Sequence, residues 1–255
     1  MIYIITFLIS FLIQTVFFLI AYRLKSDKFT DITYSLTFIL LSLISLSVSR
    51  DAGWQQVAVF SMVTLWALRL GSYLLYRVIK TGRDKRFDGR RENFRDFAAF
   101  WALQAAAVWI IMLPQIFFIT GNFKSNFFFF AAGAIIWAAG FIIETAADIQ
   151  KFTFRNKKGN KGRWIESGLW KYSRHPNFFG EALLWWGLFI IIIPHLEGLS
   201  WLVTAGPVFI TFLLLFVSGV PTVEKQAEIK YGSDPGYVLY KRVTSKFIPM
   251  PRKKG

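Results

Sequence analysis

Seven stretches of mainly apolar residues follow one another along the 255-residue chain, and no other feature constrains the fold as strongly. Each is about 20 residues long, enough to cross a bilayer as a helix in which all backbone polar groups are satisfied internally. The stretches are roughly residues 2–22, 29–48, 54–76, 97–119, 126–147, 180–197 and 199–218. The sequence therefore predicts an all-α fold, a polytopic bundle of about seven transmembrane helices that forms a single membrane domain over residues 1–255.

The basic residues are distributed unevenly among the loops. Of 30 lysines and arginines, all but three follow the first, third or fifth stretch or lie in the C-terminal tail. The exceptions are Arg50 and Lys124 in the opposite loops and Arg69 within the third stretch. Because cytoplasmic loops carry the excess of Lys and Arg, we expect an external N-terminus and a cytoplasmic C-terminus. The net charge of +15 then indicates anionic lipid headgroups as partners, and needs no nucleic acid to explain it.

The composition excludes several kinds of site. The chain has no cysteine and only two histidines, His175 and His195, so thiolate catalysis and a multi-histidine metal centre are ruled out. There is no GxGxxG or GxxxxGK[ST] motif, so any nucleotide is held by neither a Rossmann turn nor a P-loop. We predict no metal site.

Ionisable side chains inside an apolar stretch are costly, so their positions indicate function. In the third stretch Trp66, Arg69, Tyr73 and then Tyr76 or Arg77 recur at three- and four-residue steps, on one helix face. Tyr76 and Arg77 alone fit an interfacial belt of aromatic and basic residues. Arg69 lies about two turns deeper and favours a polar cavity.

A second polar stripe runs along the end of the fifth stretch. It consists of Glu144, Asp148, Lys151 and Arg155, at spacings of four, three and four residues. Simple pairing on a solvated helix face is one interpretation. The remaining faces are rich in Phe and Ile, however, which favours an inward stripe and a ligand site.

Residues 168–181 read GLWKYSRHPNFFGE and lead into the sixth stretch. Pro176 suits the first turn of a helix, whose unpaired N–H groups favour an anion. The polar residues around it are Tyr172, Arg174, His175, Asn177 and Glu181. The alternative is an interfacial cap that binds lipid headgroups. The tail after residue 220 contains Glu224, Tyr231 and Tyr240 and predicts a short helix, a Gly/Pro turn and an aromatic segment that folds back on the cytoplasmic face.

Four motifs in order resemble the steroid 5-alpha-reductase-like membrane proteins, specifically their bacterial branch of largely unassigned substrate. They are WALRLGSYLLYR at 66–77, ETAADIQKFTFR at 144–155, GLWKYSRHPNFFGE at 168–181, and VEKQAEIKYG with YVLYKRVTSKFIP at 223–249. The resemblance implies a seven-helix bundle of the bacterial inner membrane with its active site towards the cytoplasm. It further implies that NADPH lies among the last helices and reduces a carbon–carbon double bond conjugated to a carbonyl, in a lipophilic substrate that enters from the bilayer.

Under this resemblance residues 1–120 are the substrate-side helices and residues 121–255 are the cofactor-binding half. The predicted cofactor-binding residues are Glu144, Asp148, Lys151, Arg155, Tyr172, Arg174, His175, Asn177, Glu181, Glu224, Tyr231 and Tyr240. Enone reduction also needs a donor to the carbonyl oxygen. Steroid-reducing relatives use a Glu and a Tyr in the N-terminal half, and this sequence lacks that pattern. We therefore predict Tyr73 as the donor, with Arg69, Asp31 and Tyr34 as further candidates.

Two other functions compete with this one. His175 and Pro176 occupy a motif that also resembles the isoprenylcysteine and phospholipid methyltransferases, which use S-adenosylmethionine. The acid and base stripe at 144–155 argues against that reading, because S-adenosylmethionine needs fewer phosphate-directed cations. A non-enzymatic lipid-binding or transport protein is the third possibility. The polar residues cluster on one side of the membrane, which disfavours a transport path.

Overall fold

The computed structural model of the chain describes residues 1–26, 28–81, 89, 92–121, 123–124 and 126–253. Seven helical segments in these ranges are long and apolar enough to span a membrane. No strand occurs among the described residues, and Ser173 and Ser245 pair only as a single bridge. The predicted all-α polytopic fold is therefore confirmed.

The helices follow the apolar stretches, with differences at the ends. They are α1 (Ile2–Arg23), α2 (Lys28–Ser47), α3 (Trp54–Thr81), α4 (Phe94–Thr120), α5 (Phe127–Asn156) and α6 (Pro176–Ile192). The α5 helix continues beyond the predicted end at residue 147, so the whole polar stripe from Glu144 to Arg155 lies on one continuous helix.

The seventh span is composite. It runs over Gly198–Tyr231 and consists of a 3-10 segment (Gly198–Thr204), α7 (Ala205–Phe212), a π-helical turn (Leu213–Val217) and α8 (Val220–Tyr231). A last helix, α9 (Pro235–Val243), is capped by Asp234, whose side chain accepts a hydrogen bond from the Gly236 N–H at 2.8 Å. The short helix and the turn predicted for the tail are confirmed, and the predicted aromatic segment forms the helix α9.

The chain forms two compact units. The first unit comprises Met1–Asn126 and Ile192–Gly206, and the second unit comprises Phe127–Ile191 and Pro207–Gly255. The first unit therefore holds α1 to α4 and the 3-10 segment Gly198–Thr204, and the second holds α5, nearly all of α6, most of α7, and α8 and α9.

Neutral polar side chains join the helices of the first unit. Gln14 of α1 donates from Nε2 to the Thr37 hydroxyl of α2 at 3.0 Å and accepts at Oε1 from Gln104 of α4 at 2.9 Å. Ser10 donates to the Ala105 carbonyl at 2.8 Å. Hydrogen bonds of this kind link transmembrane helices where apolar burial alone does not select partners. They explain why a very apolar α1 still buries one polar stripe.

Glycines bring α5 and α6 of the second unit into backbone contact. A Cβ built on Gly140 would lie 2.6 Å from the Gly180 carbonyl oxygen, and one built on Gly187 would lie 2.8 Å from the Gly133 carbonyl oxygen. The two contacts run in opposite chain directions, so the helices are antiparallel. Small residues permit such close approach in membranes. The contact also places the backbone of Glu144 against Gly180, since a Cβ there would lie 2.6 Å from the Glu144 nitrogen.

Candidate functional site

The segment before α6 is fastened to α5 on one side. Trp170 is buried, and its indole donates to the Ala147 carbonyl at 3.1 Å. The Gln150 side chain accepts from the Leu169 N–H at 3.0 Å. Gly168 has a φ of +61°, and a Cβ there would lie 2.6 Å from the Gln150 side-chain oxygen, so this turn requires glycine.

The same segment is fastened to the chain end on its other side. The Arg174 N–H donates to the Ser245 carbonyl at 2.8 Å, and the buried Ser173 hydroxyl donates to the Phe247 carbonyl at 2.7 Å. The Met250 N–H donates to the Tyr172 carbonyl at 3.0 Å. The tail therefore holds the start of α6 in place through main-chain contacts.

Arg174, His175 and Glu224 form what we call the ionic triad. The Glu224 carboxylate of α8 accepts from Arg174 Nη1 at 2.7 Å and contacts His175 Nε2 at 2.8 Å. The exposed fractions of the side chains are 11% for Arg174, 3% for His175 and 20% for Glu224. Charge-assisted hydrogen bonds of this length are strong, and here they link the start of α6 to α8.

The triad determines the hydrogen-bonding state of His175. A carboxylate that is paired with a guanidinium only accepts hydrogen bonds, so Nε2 carries the proton and Nδ1 is an acceptor in the neutral ring. Burial lowers the pKa of His175, and the charges of Lys151 and Arg174 lower it further, whereas the contact with Glu224 opposes them. Burial thus favours the neutral imidazole, and the contact of Nε2 with Glu224 leaves Nδ1 as its bare nitrogen.

Three buried polar atoms at the start of α6 make no hydrogen bond with any residue that the structure describes. They are Arg174 Nε, His175 Nδ1 and Asn177 Oδ1. A buried polar atom without a partner costs about 1–3 kcal/mol. Three such atoms lie within four consecutive residues, so this segment has unused hydrogen-bonding capacity.

The predicted stripe on α5 divides into a buried and an exposed part. Glu144 and Asp148 are 2% and 6% exposed, on the helix face that also carries the contact glycines. Lys151 is half-buried, with its ammonium 4.5 Å from the centroid of the Trp170 ring, and Arg155 is exposed. The two carboxylates are therefore buried, and the two cations are more exposed.

The predicted tyrosines have different surroundings. Tyr240 is buried and donates to the Trp170 carbonyl at 2.9 Å, while Tyr231 donates to the Arg163 carbonyl at 3.0 Å. Burial raises the pKa of Tyr240, so this hydroxyl stays protonated. Tyr172 is exposed. The observed bonds of Tyr231 and Tyr240 go to the main chain, and a cofactor contact for any of the three stays a prediction.

Sequence reasoning missed several members of this region. Tyr237 is buried, and its ring lies against both Trp164 and Tyr231, with centroid distances of 5.4 Å and 5.5 Å. Burial raises its pKa. The spacing of Tyr237 and Tyr240, three residues apart on an amphipathic helix, was the available signal. No local pattern indicated Ser173, because the carbonyl that accepts its hydrogen bond lies far along the chain. Glu181, which was predicted, is half-buried in the second turn of α6.

The predicted proton donors all belong to the first unit. The Arg69 guanidinium lies 5.9 Å from the centroid of the Tyr73 ring, one turn further along α3. Asp31 of α2 pairs with Arg77 of α3 at 3.6 Å. Tyr34 packs edge-on against Phe38, with ring centroids 4.9 Å apart. The predicted shared face of Arg69 and Tyr73 is consistent with this arrangement, and their catalytic role stays a prediction.

Seven helices that are long and apolar enough to span a membrane indicate the class of protein, an all-helical integral membrane protein that buries a few ionisable side chains. The chain belongs to the family described as Protein of unknown function (DUF1295), whose pattern it matches over residues 17–244. Neither the curated proteins nor the solved structures contain a significant match to it. The match covers every candidate site residue.

Proposed function

We propose that the protein is a membrane-embedded, NADPH-dependent reductase of a carbon–carbon double bond conjugated to a carbonyl in a lipophilic substrate. It would thereby belong to the steroid 5-alpha-reductase-like group. The observation that carries the proposal is the set of unpartnered buried atoms at the start of α6, on Arg174, His175 and Asn177. They lie in the same compact unit as two buried carboxylates and a run of exposed cations.

The residues of the second unit fit the chemistry of a phosphorylated dinucleotide. Phosphates need cations, and between Asp148 and Glu166 the chain carries only basic charges. The exposed members of this run are Arg155, Lys157, Lys158, Lys161 and Arg163. Ribose hydroxyls and a carboxamide need carboxylates and neutral partners, which Asp148, Glu181 and Asn177 would supply. We assign the phosphates to the exposed cations and the neutral groups to the buried residues.

When bound, NADPH supplies the hydride. The residues of the chain have to bind the cofactor, orient the substrate and protonate its carbonyl oxygen. The ionic triad holds the start of α6 against α8, so Glu224 acts mainly by positioning Arg174 and His175. Tyr73 would donate a proton to the carbonyl oxygen of the substrate. The Arg69 guanidinium beside its ring would stabilise the charge left on the phenol oxygen.

The cation distribution supports a cytoplasmic location for this site. The basic run after α5 and the tail lie on the side that the positive-inside rule assigns to the cytoplasm. We therefore propose a bacterial inner-membrane protein that takes NADPH from the cytoplasm and its substrate from the lipid. A C-terminal reporter that is active only outside the cytoplasm would contradict this orientation.

One observation favours a second candidate, an S-adenosylmethionine-dependent methyltransferase of a lipid or prenylated group. The Arg174 guanidinium, predicted to bind the cofactor, is bonded to Glu224. A site with fewer available cations suits a smaller cofactor that has a positive sulfonium and no phosphate. NADPH remains the favoured cofactor, because S-adenosylmethionine has no phosphate that the basic run after α5 could bind.

The test identifies the small molecule that copurifies with the detergent-solubilised protein by mass spectrometry, and then screens enone lipids for NADPH oxidation. We expect NADPH or NADP⁺ in the purified protein and at least one enone that is reduced. Arg155→Ala should weaken NADPH binding about 10-fold, because a phosphate contact is lost. Arg50→Ala, which removes an exposed arginine from a loop of the first unit, is the control and should not. Copurified S-adenosylmethionine would reverse the order of the two candidates.

A further inference from the structure

The three unpartnered atoms at the start of α6 specify a complementary ligand group. Arg174 Nε is a donor, whereas neutral His175 Nδ1 and Asn177 Oδ1 are acceptors. A single group that paired with all three would have to offer two donors and one acceptor. A phosphate offers only acceptors at neutral pH, so it would leave both His175 and Asn177 without a partner.

The charge of this region points the same way. The Arg174 guanidinium is neutralised by the Glu224 carboxylate at 2.7 Å, and burial favours the neutral form of His175. Burying an anion beside this balanced pair would leave its charge uncompensated, which is costly. A neutral group with N–H donors adds no charge and satisfies the acceptors.

We propose that the start of α6, through Arg174, His175 and Asn177, binds the primary carboxamide of the nicotinamide ring. A primary carboxamide carries two N–H donors on one nitrogen and one carbonyl acceptor, which matches the unpartnered atoms in number and kind. The inference rests on the proposed use of NADPH and specifies which part of it this segment recognises. Glu224 is a positioning residue in this account, because it fixes the His175 proton on Nε2.

Two substitutions at His175 separate the ligand contact from the structural one. In His175→Gln the longer amide reaches the position of Nε2 and can still bond Glu224, but no acceptor remains at the position of Nδ1. In His175→Asn the amide oxygen takes the position of Nδ1, and the bond to Glu224 is lost. Glu228→Gln is the matched control, since Glu228 lies on the same α8 helix and pairs with Lys241 at 53% exposure.

The experiment measures the dissociation constants of NADP⁺ and of its 3-acetylpyridine analogue by calorimetry, with the full-length protein in detergent. The analogue replaces the amide nitrogen by a methyl group and so removes both donors. We expect the unmodified protein and Glu228→Gln to bind NADP⁺ about 10-fold more tightly than the analogue, the value of a few hydrogen bonds. We expect His175→Asn to keep most of this preference and His175→Gln to lose it.

Two results would overturn the inference. If the unmodified protein binds both dinucleotides equally, the carboxamide is not recognised here, and the proposed cofactor stands without this assignment. If His175→Gln keeps the full preference while His175→Asn loses it, the effect runs through Glu224 and not through Nδ1. Failure of the unmodified protein to bind either dinucleotide, with binding of S-adenosylmethionine, would instead overturn the proposed function itself.

Discussion

In the first unit the buried polar side chains of the described residues are all amides and hydroxyls, whereas in the second unit they include two carboxylates and an imidazole. Gln14 shows the first pattern, because its amide bonds both Thr37 and Gln104 and links three helices. Glu144, Asp148 and His175 show the second. Neutral groups in a membrane serve helix association at modest cost, while ionisable groups are expensive and mark function.

The ion pairs of the two units differ in the same way. Asp31 and Arg77 of the first unit are 3.6 Å apart, with side chains 17% and 33% exposed. Arg174 and Glu224 of the second unit are 2.7 Å apart, with 11% and 20% exposed, and His175 completes the carboxylate. The first pair is loose, whereas the second is tight and shares its carboxylate with a third residue.

The largest expected effect follows removal of the shared carboxylate. Glu224→Ala leaves Arg174 and His175 buried without their partner, and this should lower the free energy of unfolding by about 3–5 kcal/mol. Glu228 lies on the same helix as Glu224 and forms an exposed pair with Lys241. Glu228→Ala removes this pair and should cost at most about 1 kcal/mol. Chemical unfolding in mixed micelles measures both. Equal losses would mean that the ionic triad is no more important than a surface pair.

A substitution in the first unit should lower the rate of the reaction without changing the affinity for NADPH. Tyr73→Phe removes the proposed proton donor and should slow single-turnover reduction by about 100-fold or more, with NADPH affinity unchanged. Tyr76→Phe on the same helix is the control, because Tyr76 is 54% exposed, and it should retain the rate. A full rate in Tyr73→Phe would move the donor elsewhere, with Asp31 and Tyr34 as the next residues to replace.

The buried imidazole should make the second unit sensitive to acid. Unfolded His175 titrates near its ordinary value of about 6.5, and burial lowers the pKa of the folded form. Below about pH 6.5 the unfolded chain therefore binds more protons, so the free energy of unfolding falls as pH falls, by at most about 1.4 kcal/mol per pH unit. Above this range His175 makes no contribution to the slope.

Denaturation at pH 7.5 and 5.5 measures this slope. It should decrease more in His175→Asn than in His195→Asn, which replaces the other, less buried histidine of the chain. Greater stability at the lower pH in the unmodified protein would show that the triad favours protonated His175.

The smallest effect belongs to the neutral network. Gln14→Leu removes two hydrogen bonds between helices of the first unit and should cost about 0.6–1.7 kcal/mol, the range of such bonds in membranes. Its effect should not change between pH 7.5 and 5.5, because neither Thr37 nor Gln104 titrates. A loss as large as that of Glu224→Ala would remove the distinction between the two units.

The spans and the tail could be predicted because their signals are local. Hydrophobic length indicated all seven helices, and the Gly/Pro punctuation after Tyr231 indicated the turn before α9. The composite structure of the seventh span could not be predicted, because its 3-10 and π-helical parts lie within one apolar run and have no distinct composition. The glycine contacts between α5 and α6 could have been found, because Gly133 and Gly140, like Gly180 and Gly187, are seven residues apart.

The site could be predicted in composition but not in pairing. The sequence indicated that Arg174, His175 and Glu224 matter, yet only the fold shows that one carboxylate joins the other two. That pairing depends on two segments about fifty residues apart. It also changes the expected role of Arg174 from a phosphate partner to a member of a neutral pair, which no local pattern encodes.

The central claim is that the second unit binds NADPH, and calorimetric titration of the solubilised protein with NADPH and with S-adenosylmethionine tests it most directly. We predict a dissociation constant for NADPH of about 1 µM to 1 mM, in the usual range for enzyme substrates, and no heat from S-adenosylmethionine. Asp148→Asn and Glu181→Gln should abolish NADPH binding without a matching loss of thermal stability. Binding of S-adenosylmethionine with no binding of NADPH would contradict the account.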